Sequence, residues 1–177
     1  NGSGKLDLWS HLIEMGSSNL VMNGSAPHYR NPDNLQTIVS GWTCSDKIIT
    51  VAAYHNRNWL ENYNGDTISL AVAGYPKWGI ASFSSLGPTR DGRQKPDLTA
   101  PGGRVMSAAP LSLLNNYRTN GFANLDSDGW HIQNSGTSMS APMVAGAAAL
   151  YFQCRPNANY ADVKTALERS ARLDSFV

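Results

Sequence analysis

Apolar and polar positions change style several times along the chain. Residues 47–54 (KIITVAAY) form one continuous apolar run with β-branched members, which predicts a strand covered on both faces. Residues 67–75 (TISLAVAGY) predict a second strand, entered from the Asn64-Gly65 turn signal. In residues 5–12, Leu6, Leu8 and Leu12 share one parity against Lys5, Asp7 and His11, the alternation of a half-buried strand. Residues 102–109 suit a short strand. Residues 17–37, 85–97 and 115–129 are rich in Gly, Pro, Asn, Ser or Asp and read as loops.

Two helices close the chain. Met139–Phe152 is apolar nearly all round, as expected of a buried helix. Ala145 through Ala149 make its body thin enough to lie close against a sheet. The second helix runs from about Tyr160 to Ala171, with Asn159 as N-cap and Asp162 completing a capping box. Val163, Leu167 and Ala171 share its apolar stripe, while Lys164, Glu168 and Arg172 share a polar one. The mixture predicts an α/β fold.

Composition narrows the classes. With 177 residues, 41% of them hydrophobic, the chain can build a real core. A net charge of +1 without a basic block argues against nucleic acid as a partner. The longest apolar run is too short to span a bilayer. No secretory signal pattern opens the chain, and the opening Asn-Gly-Ser-Gly reads as the middle of something longer. Cys44 and Cys154 lack metal-ligand spacing and read as two small buried hydrophobes, with a disulfide left open. Asn124, Asp126, Asp128 and Gly129 imitate the start of a calcium loop, but Ser135 stands where the closing Glu is needed. No motif therefore calls for a metal. Asn23-Gly24-Ser25 is a formal glycosylation sequon.

The chemistry concentrates in residues 135–146, SGTSMSAPMVAG. Pro142 lacks an N–H and belongs in a helix's first turn, so the helix should start near Ser138–Ser140 or be kinked there. Ser138 then sits at the helix N-terminus, after Gly136, with unpaired backbone N–H groups and the positive end of the helix dipole beside it. Ser140 lies inside the first turn, and Ser135 points elsewhere. Local chemistry equally allows Ser138 or Thr137 to be a plain helix cap. The pattern is not G-x-S-x-G, so an α/β-hydrolase elbow is unsupported.

GTSMSAPMVAG closely resembles the nucleophile motif of subtilisin-like serine peptidases, the subtilases. FSSLGPTRDGRQKPDLTAPG (83–102), KIITVAAY and the closing YADVKTALERSA are similar to family segments in family order. The resemblance implies a three-layer fold with a mostly parallel sheet, of which residues 41–177 would be the C-terminal half. Residues 1–40 would be a β-rich leading segment, the end of an insertion. It implies that Ser138 attacks the scissile carbonyl, with its own N–H as half of the oxyanion hole and Thr137, Gly136 and Met139 in support. A polypeptide is the implied substrate, and a bacterial enzyme, secreted or at the cell envelope, the implied setting. Family members use calcium in places, but no cofactor motif is present here.

The family's Asp and His, in Asp-Thr/Ser-Gly and His-Gly-Thr-like settings, find no counterpart. His11, His28, His55 and His131 all lack a following Gly and read as strand or surface histidines, with His131 the weak candidate base. No AAGN-like segment precedes residue 47, and Asn1 and Asn134 have no motif support as oxyanion donors. Two readings stay open. One is an endopeptidase segment, inactive alone, that pairs with a complementary N-terminal half or self-associates. The other is a non-catalytic scaffold or binding module.

Overall fold

The computed structural model describes residues 38–69 and 77–172. The strand expected at 5–12, the loop at 17–37, the sequon and residues 1–37 of the leading segment lie outside the described residues. So do positions 70–76 of the expected strand 67–75.

The elements run in the order β1 (Val51–His55), β2 (Trp59–Glu61), β3 (Thr67–Ser69), β4 (Leu98–Gly103), β5 (Val105–Ala108), α1 (Leu111–Asn120), β6 (His131–Asn134), α2 (Thr137–Cys154) and α3 (Tyr160–Ser170). The fold is mixed α/β. β1 and β4 pair in parallel, β2 with β3 and β5 with β6 antiparallel. Of the mostly parallel sheet that the resemblance implies, the described residues show one parallel pair beside two antiparallel ones.

The apolar run at 47–54 does become a two-sided strand. Ala52 and Ala53 point to opposite faces of β1 and both are buried. β4, of which the sequence suggested only Gly102 and Gly103 as the start of a short strand, pairs Val51 with Leu98 and Ala53 with Ala100. Its Pro101 is tolerable at a sheet margin. The other edge of β1 takes residues 78–81: the Ala81 amide donates to the Ala53 carbonyl at 2.8 Å and the His55 amide to Gly79 at 3.0 Å. α2 lies across β1 and β4, and the alanines beneath it are the reason it can come close.

Segment 85–97 is a loop as expected, locked from inside. Lys95, only 1% exposed, donates to the Ile48 carbonyl at 2.8 Å and to Asp97 Oδ2 at 2.6 Å. Lys164 of α3 donates to the other Asp97 oxygen at 2.7 Å. The peptide bonds before Pro88 and Pro96 are cis. At α3, Asn159 accepts from the Ala161 and Asp162 amides while Asp162 accepts from the Asn159 amide, the expected capping box. Val163 is buried and Leu167 half-buried, but Ala171 falls past the helix end, exposed.

Three expectations are corrected. Residues 111–120, which run into the stretch 115–129 expected as loop, form α1, held by buried Leu114 and closed by Gly121 at φ 68°. α2 is not a buried helix among the described residues: only Ser140 and Val144 are buried, while Leu150 is 66% exposed and Met143, Phe152 and most of its alanines are exposed too. One face lies on the sheet, and no described element covers the other. The cysteines are free, Cys44 half-buried and Cys154 exposed, not buried hydrophobes. No helix among the described residues is long and apolar enough to cross a membrane.

Candidate active site

The loop that leads to Ser138 joins β6 to α2, and glycines shape it. Gly136 is the residue before α2, at φ 141° and ψ 161°, a region essentially confined to glycine. Its amide donates to the Gly102 carbonyl at the end of β4, at 2.8 Å. Gly102 must be glycine because a Cβ there would lie 2.5 Å from Ala53 Cβ and 3.0 Å from the Gly136 oxygen. The two parallel strands therefore dictate where the loop turns.

α2 begins at Thr137, one residue earlier than its sequence suggested, so neither Thr137 nor Ser138 is the cap. Gly136 holds that position without a side chain to offer. Pro142 consequently sits in the second turn, and the Ser138 carbonyl has no amide at 142 to accept from. Ser140 turns inward, its hydroxyl on the Thr137 carbonyl at 3.0 Å. Ser138 and Thr137 are exposed. The first hydrogen bond of α2 is from the Met139 amide to the Gly136 carbonyl at 3.0 Å. The Thr137 and Ser138 amides precede it and have no acceptor among the described residues. Met139 is half-buried, with its sulfur toward Gly136. Ser138 thus combines an accessible hydroxyl with free amides at the positive end of an 18-residue helix, which suits a developing oxyanion.

Ser135 has a role the sequence reading missed. Its hydroxyl accepts the Arg104 amide at 3.0 Å. Nothing in a Ser before Gly announces a bond to a residue 31 positions away; only the strand pairing reveals it.

The candidate partners are not brought to Ser138. His131 opens β6 opposite Ala108, while Asn134, opposite Val105, closes it. That is about 10 Å of strand before the loop even begins. Its Nδ1 meets Asp128 Oδ2 at 2.5 Å. The Asp128 carboxyl also accepts the Trp130 amide, which, with His131, holds its pKa below the usual range. His55 lies against Gly103 and edge-on to Phe83. His11 and His28 lie outside the described residues. Asn134 donates no side-chain hydrogen to the loop; its Oδ1 accepts the Ser135 amide.

The acidic loop does not gather into a site either. Asp126 is buried and accepts from Gln133 Nε2 at 2.9 Å, while Asp128 serves its own turn. Asn124 bonds Arg104. No three His, Cys, Asp or Glu side chains converge on a metal position among the described residues.

Comparison with known proteins gives the family of the sequence. The sequence model of the Subtilase family matches residues 19–176. The chain is 36% identical over 138 residues to the serine protease AprX of Bacillus subtilis, covering 77% of this chain and 27% of that protein. It is 33% identical over 117 residues to the PII-type proteinase of Lacticaseibacillus paracasei, covering 60% of this chain and 5% of that one. An uncharacterized protein of Aquifex aeolicus is 34% identical over 139 residues, 56% of its length. The chain therefore spans only a minor part of the first two relatives. No solved structure gives a significant match.

Proposed function

Because the chain belongs to the subtilase family of serine peptidases, we propose that Ser138 is the nucleophile of an endopeptidase acting through an acyl-enzyme. The observation that carries this is the exposed Ser138 hydroxyl at the start of α2, beside its own unpaired amide. The Ser138 oxygen would attack the scissile carbonyl while its proton passes to a base. The Ser138 N–H would hold the oxyanion. Collapse would expel the amine with a proton and leave an ester that water hydrolyses. Thr137, Gly136 and Met139 would shape the loop.

The base and its orienting carboxylate are proposed to come from outside the described residues. The occupied His131 and the packed His55 support this. Residues 41–177 would then be the C-terminal half of a catalytic domain, inactive alone. The uncovered apolar face of α2 supports a complementary segment or a second copy lying upon it. Leu150 is 66% exposed and Met143 40%, so covering them would contribute about 1–2 kcal/mol and about 1 kcal/mol respectively. The bacterial relatives support a bacterial enzyme, and its placement outside the cytoplasm remains part of the proposal.

Fluorophosphonate labelling tests the reading. The chain by itself should label slowly, as a serine lacking a base does. The full-length protein that contains it should label at Ser138, and Ser138→Ala should abolish the label. Normal labelling of the chain alone would place the base within it and return His131 to the site. An unlabelled full-length protein would leave a scaffold.

A further inference from the structure

We propose that Ser135 is a positioning residue for the nucleophile, acting through its hydroxyl, with Arg104 and Asn124 braced behind it. The inference rests on Ser138 being the nucleophile. α2 begins without a side-chain cap, so its first residues depend on what holds the preceding loop. Two cross-links do so. One is the backbone bond from Gly136 to Gly102, which no side chain alters. The other is the bond from the Arg104 amide to Ser135 Oγ at 3.0 Å, which exists only while position 135 carries a hydroxyl.

Arg104 is unusual in its own right. It takes φ 56°, a left-handed conformation that a non-glycine residue adopts at a cost and only when its surroundings impose it. That turn joins β4 to β5 and presents its amide to Ser135. The Arg104 guanidinium is itself held, donating to Asn124 Oδ1 at 2.9 Å. The Asn124 carbonyl in turn accepts the Gln133 amide of β6 at 2.8 Å. Asn124 therefore ties both supports of the loop, the β4–β5 turn and β6. The contacts run without a gap from Asn124 through Arg104 to Ser135, three residues before Ser138. An attacking oxygen displaced by about 1 Å can lose up to two orders of magnitude in rate, so a loop this sparsely capped is where one bond matters.

The test uses the full-length protein with Ser135→Ala and Ser135→Thr. Peptide hydrolysis is measured together with hydrogen exchange of the hydrogen-bonded Gly136 and Met139 amides and the urea midpoint. Ser135→Ala is expected to lower kcat about tenfold, with KM within about twofold, and to speed exchange at those amides about tenfold. Ser135→Thr keeps the acceptor and should restore both. A lowered midpoint with kcat and exchange unchanged would make Ser135 merely structural and overturn the proposal, as would failure of Thr to restore. If the parent shows no turnover and no Ser138 label, the peptidase reading has failed separately. The exchange measurement then decides, unchanged exchange overturning the proposal. Should Ser135→Ala not fold, Arg104→Gly keeps the amide, suits the positive φ and removes the whole side chain, its bond to Asn124 included. It is expected to speed the same exchange about threefold, and no change would overturn the relay.

Discussion

Replacing Asp97 by Asn should cost this chain about 3–5 kcal/mol, the usual effect of removing one partner from a buried ion pair. The Asp97 carboxyl is 4% exposed and takes three donors: the Thr50 amide at 2.7 Å, Lys95 at 2.6 Å and Lys164 at 2.7 Å. Asn at this position could still accept from Thr50. It could not offset the charge of Lys95, which is 1% exposed and keeps only the Ile48 carbonyl. Lys164, 18% exposed, can still be solvated, so Lys164→Met should cost only about 1 kcal/mol. Urea unfolding reads the difference. With a slope of about 1–3 kcal/mol/M, Asp97→Asn should move the midpoint down by more than about 1 M. The double variant Lys95→Met/Asp97→Asn should recover much of the loss, because the stranded charge is then gone. Asp97→Asn within about 1 kcal/mol of the parent, or a double variant no better than the single, would refute the reasoning.

The same carboxylate sets a pH dependence. Burial pushes the Asp97 carboxyl up, but Lys164, Lys95 and the Thr50 amide outweigh it, so its folded pKa lies below 3.8. The stability it contributes is therefore fully present above the unfolded value and lost as pH falls from about 4 through the folded value. The parent's urea midpoint should drop across that window, and that of Asp97→Asn should drop less. Lys164 is shifted the other way, raised above 10.5 chiefly by its bond to Asp97. Its contribution holds below that value and disappears as pH rises through the folded one.

Gly102→Ala should destabilise by about 1–3 kcal/mol, because its Cβ meets Ala53 Cβ at 2.5 Å and the Gly136 oxygen at 3.0 Å. In the full-length protein it should also slow fluorophosphonate labelling of Ser138 at least about tenfold; labelling at the parent rate would separate the loop from the sheet. Asn159→Ala removes the acceptor for two amides of α3 and should cost about 1 kcal/mol by urea unfolding. Leu150→Glu should change the stability of this chain by no more than about 0.5 kcal/mol, since Leu150 is 66% exposed. In the full-length protein it should lower the unfolding midpoint, and an unchanged midpoint would show that the face stays open.

What could be read from the residues was local or periodic. The run 47–54, the capping box at Asn159 and the bend at Gly136 each write their reason into a few adjacent positions. Residues 98–101 of β4 escaped because Pro101 and the turn-rich segment before them look like loop, and their strand character comes from β1 alongside. α1 escaped because Asn115, Asn116 and Asn120 are weak helix formers; one buried leucine and Gly121 carry it. Pro110 before it and Gly121 after it were the available signals. The bonds of Asp97 to Thr50 and Lys164 and the acceptor at Ser135 join residues about thirty to seventy positions apart, which no window on a single sequence spans.

As the proposed nucleophile, Ser138 has one requirement of catalysis met among the described residues and another unmet, and the fold explains the asymmetry. Oxyanion stabilisation would come from amides that the helix start leaves unpaired, so α2 and its glycine loop would supply it locally. Proton transfer needs a second titratable group within hydrogen-bond reach, and that group must be delivered by another element. Among the described residues the two histidines are committed elsewhere, His131 to Asp128 and His55 to the Gly103 and Phe83 surfaces. The same chain leaves Met143 and Leu150, seven residues apart on one side of α2, uncovered on the helix that carries Ser138 at its start. One added layer could remove both deficits, because an element laid on the free face of α2 is carried by the helix that fixes the serine. The two effects should then be inseparable. Conditions that give the full-length protein a reactive Ser138 should also shield Leu150 from solvent, whereas reactivity with Leu150 still exposed would mean that the base arrives by a route unrelated to that face.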